Sequence, residues 1–232
     1  MGGLVTFVRS SIGAKVFMAL SGAAMFGFVL VHMLGNLQVY LGPEPYNAYA
    51  AFLKGTPELL WAARAVLLGS VAVHVASGLR LAALNRAARP HDYVAKRFTK
   101  ASMSSRTMVL SGLVVLSFIV YHLLHFTLGV TDPAHYHLVD SHGRHDVYAM
   151  FVHGFRNPYV SVSYIVAMTL LGAHLHHGVT SLFQTLGFNG PRFSRVIELF
   201  GPSFAAIVVL GNVSMPISVM MGWLTLPAGG VG

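Results

Sequence analysis

The stretch KVFMALSGAAMFGFVLVHMLGNLQV, residues 15–39, decides the fold. After Lys15 it carries no charge, and it exceeds the roughly 20 residues that an α-helix needs to cross the hydrocarbon core of a bilayer. Four further runs of the same character follow, at about Leu59–Asn85, Ser105–Gly129, Pro158–Thr185 and Val196–Leu226. Only helices and closed barrels span lipid, because every backbone polar group must find its partner inside the protein. These runs are too long and continuous for barrel strands. The sequence therefore predicts an all-α integral membrane bundle of five transmembrane helices, forming one domain over residues 1–232.

Composition agrees. Hydrophobic residues make up 55% of the chain and charged residues only 9%, against about 25% charged in soluble domains. The net charge of +8 could in principle suit nucleic acid, but the basic residues lie between the apolar runs, so lipid rather than nucleic acid is the expected partner. There is no cysteine, which removes disulfides, thiolate-bound iron–sulfur clusters and covalent c-type haem attachment from consideration.

Lysine and arginine placement sets the expected orientation. Arg9 and Lys15 precede the first span. Arg86, Arg89, Lys96, Arg97, Lys100 and Arg106 fill the connection between the second and third, and Arg192 and Arg195 that between the fourth and fifth. The other two connections are poorer in base and hold Glu44, Glu58, Asp132, Asp140 and Asp146. The N-terminus is thus expected in the cytoplasm and the C-terminus outside. The apolar stretch after Lys15 runs on without a clear small-residue cleavage site, so it reads as a retained span and not a signal peptide. The connection from Val130 to Asn157 is too long for a simple turn and is expected to form an ordered outer cap.

Thirteen histidines are the anomaly, since ionisable groups inside spans are rare and usually functional. His32 and His122 lie roughly 25 Å from the inner ends of the first and third spans, at 1.5 Å per residue. His74 and His174 lie roughly 17 Å from the inner ends of the second and fourth. Depth therefore pairs His32 with His122 near the outer side, and His74 with His174 near the inner side. Two imidazoles meeting at one depth make a bis-histidine site for haem iron within a helical bundle. Glycines strengthen this reading: Gly78 and Gly178 each follow a histidine by one turn, Gly27 and Gly35 flank His32, and Gly129 follows His122. A flat macrocycle needs such gaps, although glycine also serves plain helix packing. On spacing alone His125 and His177 rival His122 and His174. A single histidine in a span can also serve merely to bond a neighbouring helix. His135, His137, His142, His145 and His153 form a second group, open to a zinc reading or to that of a solvated surface that passes protons towards a quinone.

The segments SSIGAKVFMALSG (10–22), FVLVHMLGNLQ (28–38), VAVHVASGLRL (71–81), FIVYHLLHFTLG (118–129) and GAHLHHGVTSLFQTLGFN (172–189) carry a resemblance over nearly the whole chain. It resembles the cytochrome b subunit of succinate dehydrogenase and fumarate reductase (respiratory complex II), in the single-chain, five-helix, two-haem form. The last segment is the most specific. The resemblance implies axial ligands at His32, His74, His122 and His174, with the first helix paired to the third and the second to the fourth. It favours His174 over His177, because the ligand stands four residues before the glycine, here Gly178. It implies two b-type haems, a quinone substrate, menaquinone in such two-haem forms, and a place in a bacterial cytoplasmic membrane as a multi-pass subunit. It also implies a flavoprotein subunit with FAD, where the dicarboxylate chemistry occurs, and an iron–sulfur subunit with its clusters, both on the cytoplasmic face. Arg80, six residues beyond His74, reads either as a contact for an inner-haem propionate or as a snorkelling boundary arginine.

One position departs from some members of that family. Where certain fumarate reductases carry a glutamate two residues before the fourth-helix ligand, this chain has Gly172, and no span has an acid in its middle. A compensating proton path through a buried carboxylate is therefore not expected. Competing readings are a two-haem subunit of the nitrate reductase or formate dehydrogenase type, and a haem-free transporter or structural anchor. The nitrate reductase type concentrates its ligands on two helices, whereas this chain spreads them over four.

Overall fold

The computed structural model describes residues 2–88, 107–188 and 190–227. Arg89, Lys96, Arg97, Lys100 and Arg106 of the basic connection, Ser105 as the start of the third span, Asn189, and the side chain of Arg192 lie outside this description. The helices are α1 (Gly2–Arg9), α2 (Ser11–Asn36), α3 (Pro43–Lys54), α4 (Pro57–Ala87), α5 (Met108–His122), α6 (Pro133–Tyr136), α7 (Val147–Arg156), α8 (Pro158–Thr185) and α9 (Pro191–Met220). A 3₁₀ turn, Leu37–Leu41, extends α2, and a π turn, Leu123–Thr127, extends α5. No strand occurs among the described residues, only an isolated bridge between Val139 and His145.

The fold is all-α, and five helices are long and apolar enough to cross a membrane: Ser11–Leu41, Pro57–Ala87, Met108–Thr127, Pro158–Thr185 and Phe193–Met220. Their surfaces fit lipid. None of the most apolar window of α4 is buried, and Leu59, Trp61, Val66, Leu68 and Leu79 are exposed along it. In water such a face would far exceed the apolar patch that a soluble monomer leaves uncovered.

Local chemistry sets the ends of these helices. Proline stands at the first position of α3, α4, α6, α8 and α9, where its missing N–H costs no intrahelical bond. The expected fifth span ran on to Leu226, but α9 stops at Met220. Gly222 adopts φ +73°, and its N–H bonds to Val219 O at 3.1 Å while Trp223 N bonds to Ser218 O at 2.8 Å. This left-handed glycine cap ends the helix, although apolar residues continue past it. After the π turn, Gly129 at φ +67° reverses the chain, and Tyr136 packs where its β-carbon would project.

Contacts group the chain into two compact units, one comprising Met1–Phe28, Ala63–Leu113 and Ala173–Ala205, the other Val29–Ala62, Val114–Gly172 and Ala206–Gly232. In the first, Phe26 packs on Phe204 with ring centres 4.1 Å apart. Arg80 Nη1 donates to Val8 O at 2.8 Å, and its Nη2 donates to Arg9 O. A cation at the last carbonyls of α1 complements the helix dipole. Arg80 is thus engaged with the backbone of α1, a third role beside the two that the sequence suggested.

The second unit holds the aromatic core of the connection Val130–Asn157. Tyr148, Phe151, Val152 and Phe155 of α7 pack with Val39, Tyr46, Met215, Val219 and Leu224. Buried Asn47 ties this cap down: its Nδ2 donates to Asp146 Oδ1 at 2.9 Å, and its Oδ1 accepts from Tyr148 N at 2.9 Å. Asp146 also caps α7 by accepting from Ala149 N at 2.9 Å, the short acidic cap that helix starts favour.

Candidate histidine pair sites

The first unit brings together His74 of α4 and His174 of α8, ring centres 6.2 Å apart at 63°. Each imidazole is held from behind. His74 Nδ1 lies 3.2 Å from Met18 O and 3.5 Å from Ser21 Oγ. His174 Nδ1 lies 3.2 Å from Ser111 Oγ, which donates its own proton to Met108 O at 3.1 Å. Both arrangements place an acceptor at Nδ1, so the proton sits there and Nε2 keeps its lone pair. A partner at the second nitrogen is what fixes the tautomer of a metal-binding histidine. The residue after each serine is glycine, and it lets the ring approach. A β-carbon on Gly22 would stand 3.4 Å from His74 Cε1, and one on Gly112 would stand 3.3 Å from His174 Cε1.

The second unit brings together His32 of α2 and His122 of α5, ring centres 5.8 Å apart at 84°. His122 Nδ1 lies 3.4 Å from Tyr164 Oη, which lies 3.1 Å from His125 Nδ1. The polarity at His32 is reversed. Asn36 Nδ2 donates to His32 Nε2 at 3.1 Å, and Tyr46 Oη donates to Asn36 Oδ1 at 2.9 Å. Binding a metal through Nε2 therefore requires Asn36 to yield, whereas binding through Nδ1 leaves it in place. A cavity of about 140 Å³ beside this ring is lined by Gly35, Asn36, Tyr46, Tyr49 and Leu53.

The ring-centre spacings of both pairs suit one metal between two imidazoles, although at His32 the Asn36 bond occupies Nε2. Two metal–nitrogen bonds of about 2 Å, plus about 1 Å from each nitrogen to its ring centre, would separate the ring centres by about 6 Å. The glycine gaps sort by position. A β-carbon on Gly78 or Gly178 would meet nothing within 4 Å, so room remains one turn from His74 and from His174. Gly35, by contrast, is covered by the ring of Tyr49.

The rivals sort as well. The ring that meets His74 is that of His174, and the ring that meets His32 is that of His122. His125 is 4% exposed and bonds to Tyr164. Gly172, two residues before His174, is buried.

The five cap histidines do not converge. His135 Nδ1 pairs with Asp132 at 2.8 Å, and its ring stacks on His153 at 4.0 Å. His145 accepts from Lys54 Nζ at 2.9 Å through Nδ1 and donates to Tyr136 O through Nε2. His137 packs edge-on against Tyr136. His142 joins Glu44 and Asp140 as the one cluster of three potential metal ligands among the described residues. Arg144 already occupies both of those carboxylates, at 2.6 and 2.7 Å. It holds Glu44 below the usual carboxylate range. Partial burial raises Asp140, but the bonds from Arg144 and nearby N–H groups outweigh it and lower the net pKa.

Sequence reasoning found the histidines but left their supports unnamed. A signal for two of them was present: M-x-L-S-G recurs at residues 18–22 and 108–112, each with its serine eleven residues ahead of a paired histidine, His32 and His122. Tyr164 and Asn36 carried no such mark. No protein-family model, curated protein or solved structure matches the chain.

Proposed function

We propose that this chain is the di-haem cytochrome b anchor of a bacterial succinate:quinone oxidoreductase in the cytoplasmic membrane. The observation that carries the reading is the pair of imidazole couples, His32 with His122 and His74 with His174, each with ring centres at a spacing that would let both rings hold one metal. When bound, haem b supplies one-electron transfer. The chain's own residues supply the rest. Met18 O and Ser111 Oγ hold protons on Nδ1 of His74 and His174, which leaves their Nε2 lone pairs as the atoms that would hold the metal. Gly78 and Gly178 leave room beside them, and the apolar helices keep water away.

The distribution of lysine and arginine supports a reading in which His74 and His174 lie on the cytoplasmic side, next to an iron–sulfur subunit that would link to a flavoprotein carrying FAD. His32 and His122 then face the quinone side, with menaquinone the expected substrate. The dicarboxylate is oxidised or reduced on the flavoprotein, not on this chain.

Reduced-minus-oxidised spectra of the purified chain, with a redox titration, test the reading. Two b-type components of unequal potential are expected, because the polar groups behind the two couples differ. A preparation without b-type bands, made with ample haem supply, overturns it.

A further inference from the structure

Tyr164 has a hydroxyl with two imidazole nitrogens in reach, His122 Nδ1 at 3.4 Å and His125 Nδ1 at 3.1 Å. The residue is 6% exposed, and its ring is packed by Phe118 and Phe155, each with centres 4.9 Å away. A phenol carries one proton to donate and can accept in return. If His122 holds metal through Nε2, its Nδ1 carries a proton and must donate it to Tyr164 Oη. The phenolic proton then has one partner left in this pocket, the lone pair on His125 Nδ1. The direction of every bond in the chain His122–Tyr164–His125 follows from that single choice.

The backbone supports the arrangement. His125 lies in the π turn Leu123–Thr127, closed by Leu128 N to Leu123 O at 2.9 Å. Such wide turns are frequent at functional sites. Gly154 of α7 lets the His125 ring lie against the cap, where a β-carbon would stand 3.1 Å from Cε1 and Nε2.

We infer that Tyr164 and His125 are positioning residues that fix the tautomer of His122 and set the potential of the haem it would hold, an inference that rests on the di-haem reading above. An acceptor at Nδ1–H makes a ligating imidazole more basic, and a more basic ligand favours the oxidised iron. The hydroxyl is a better acceptor while its own proton is given to His125, since linked hydrogen bonds polarise one another. Tyr164 and His125 together therefore hold this potential down.

The test is a redox titration with the low-spin ferric signal recorded for the purified, haem-loaded chain and its variants. Tyr164→Phe keeps the ring and removes the acceptor. One b component should move to higher potential with an altered ferric signal, and the other should stay. His125→Leu should move the same component upward by less, and His125→Gln, which keeps an acceptor, should restore it towards wild type. Phe155→Leu loosens the same pocket without touching the chain of bonds and should leave both potentials unmoved. Unchanged potentials in Tyr164→Phe, or equal shifts of both components, overturn this inference alone. A wild-type protein without b-type bands overturns the di-haem reading beneath it.

Discussion

Gly112 lies against the imidazole of His174 so closely that a β-carbon there would stand 3.3 Å from Cε1. The contact is tight enough that the ring must give by a few tenths of an ångström for alanine and by far more for valine. Ser111, one residue earlier, holds the same ring by Nδ1. The serine–glycine step thus sets both the distance and the tautomer of one imidazole.

Gly112→Val should therefore displace His174 and cost about 1–3 kcal/mol of stability through overpacking. One b component should be lost from reduced-minus-oxidised spectra, whereas Gly112→Ala should keep it with a small shift in potential. Gly22→Val should remove the same component, because Gly22 packs on the other ring of that couple, His74. Retention of full haem content in both valine variants would show that these glycines do not shape the site.

Loss should also be pairwise. His74→Ala and His174→Ala are expected to remove one spectral component, and His32→Ala and His122→Ala the other, each sparing its counterpart. Two histidines of one couple with different phenotypes would break the pairing. His125→Leu and His177→Ala are expected to retain both components, because neither ring meets an imidazole of the opposing helix.

The spans were legible because lipid leaves the chain few choices: a long apolar run must be a helix. Their ends were less legible, since apolarity does not stop where a helix does. The close of α9 was decided by Gly222 in a left-handed turn, two residues past Met220, and Trp223 and Leu224 beyond it are apolar as well. The histidines stood out because titratable groups in spans are rare. Their supports did not, because Ser21, Ser111 and Tyr164 are ordinary in such helices and acquire meaning only from helix rotation. Arg80 shows the same limit from the other side. Its position beyond His74 suggested a haem edge, but no sequence rule pointed to the end of α1, which it bonds.

Asn47 offers a test of the cap that is independent of any cofactor. It is 1% exposed and bonds both Asp146 and the Tyr148 amide. Asn47→Ala would leave a buried backbone N–H without its partner, a loss of about 1–3 kcal/mol. Hydrogen exchange in α7 should quicken while exchange in α4 stays unchanged. Equal protection of α7 in both proteins would mean that the apolar packing of Phe151 and Phe155 alone holds the cap.

The cap should also loosen in mild acid, and His145 gives the sign. Burial is the main cause that pushes its pKa below 6.5, the Tyr136 carbonyl opposes this, Lys54 and His137 lower it further, and Asp146 opposes. His153 is lowered too, first by burial, then by His135 and Arg156, with Asp132 and Asp146 opposing. Below the ordinary imidazole value the unfolded cap binds protons that the folded cap refuses. Stability is therefore complete above about pH 6.5 and falls as pH drops beneath it. Glu44 and Asp140 do not contribute in this window, because Arg144 holds both below the usual carboxylate range. Amide protection at the Val139–His145 bridge should decline between about pH 7 and 5.5, after correction for intrinsic exchange. Lys54→Met removes the ammonium beside Nδ1, so the decline should shrink, and His145→Gln should shrink it further. A decline of equal size in wild type and His145→Gln would move the acid response to His153 or elsewhere in the cap.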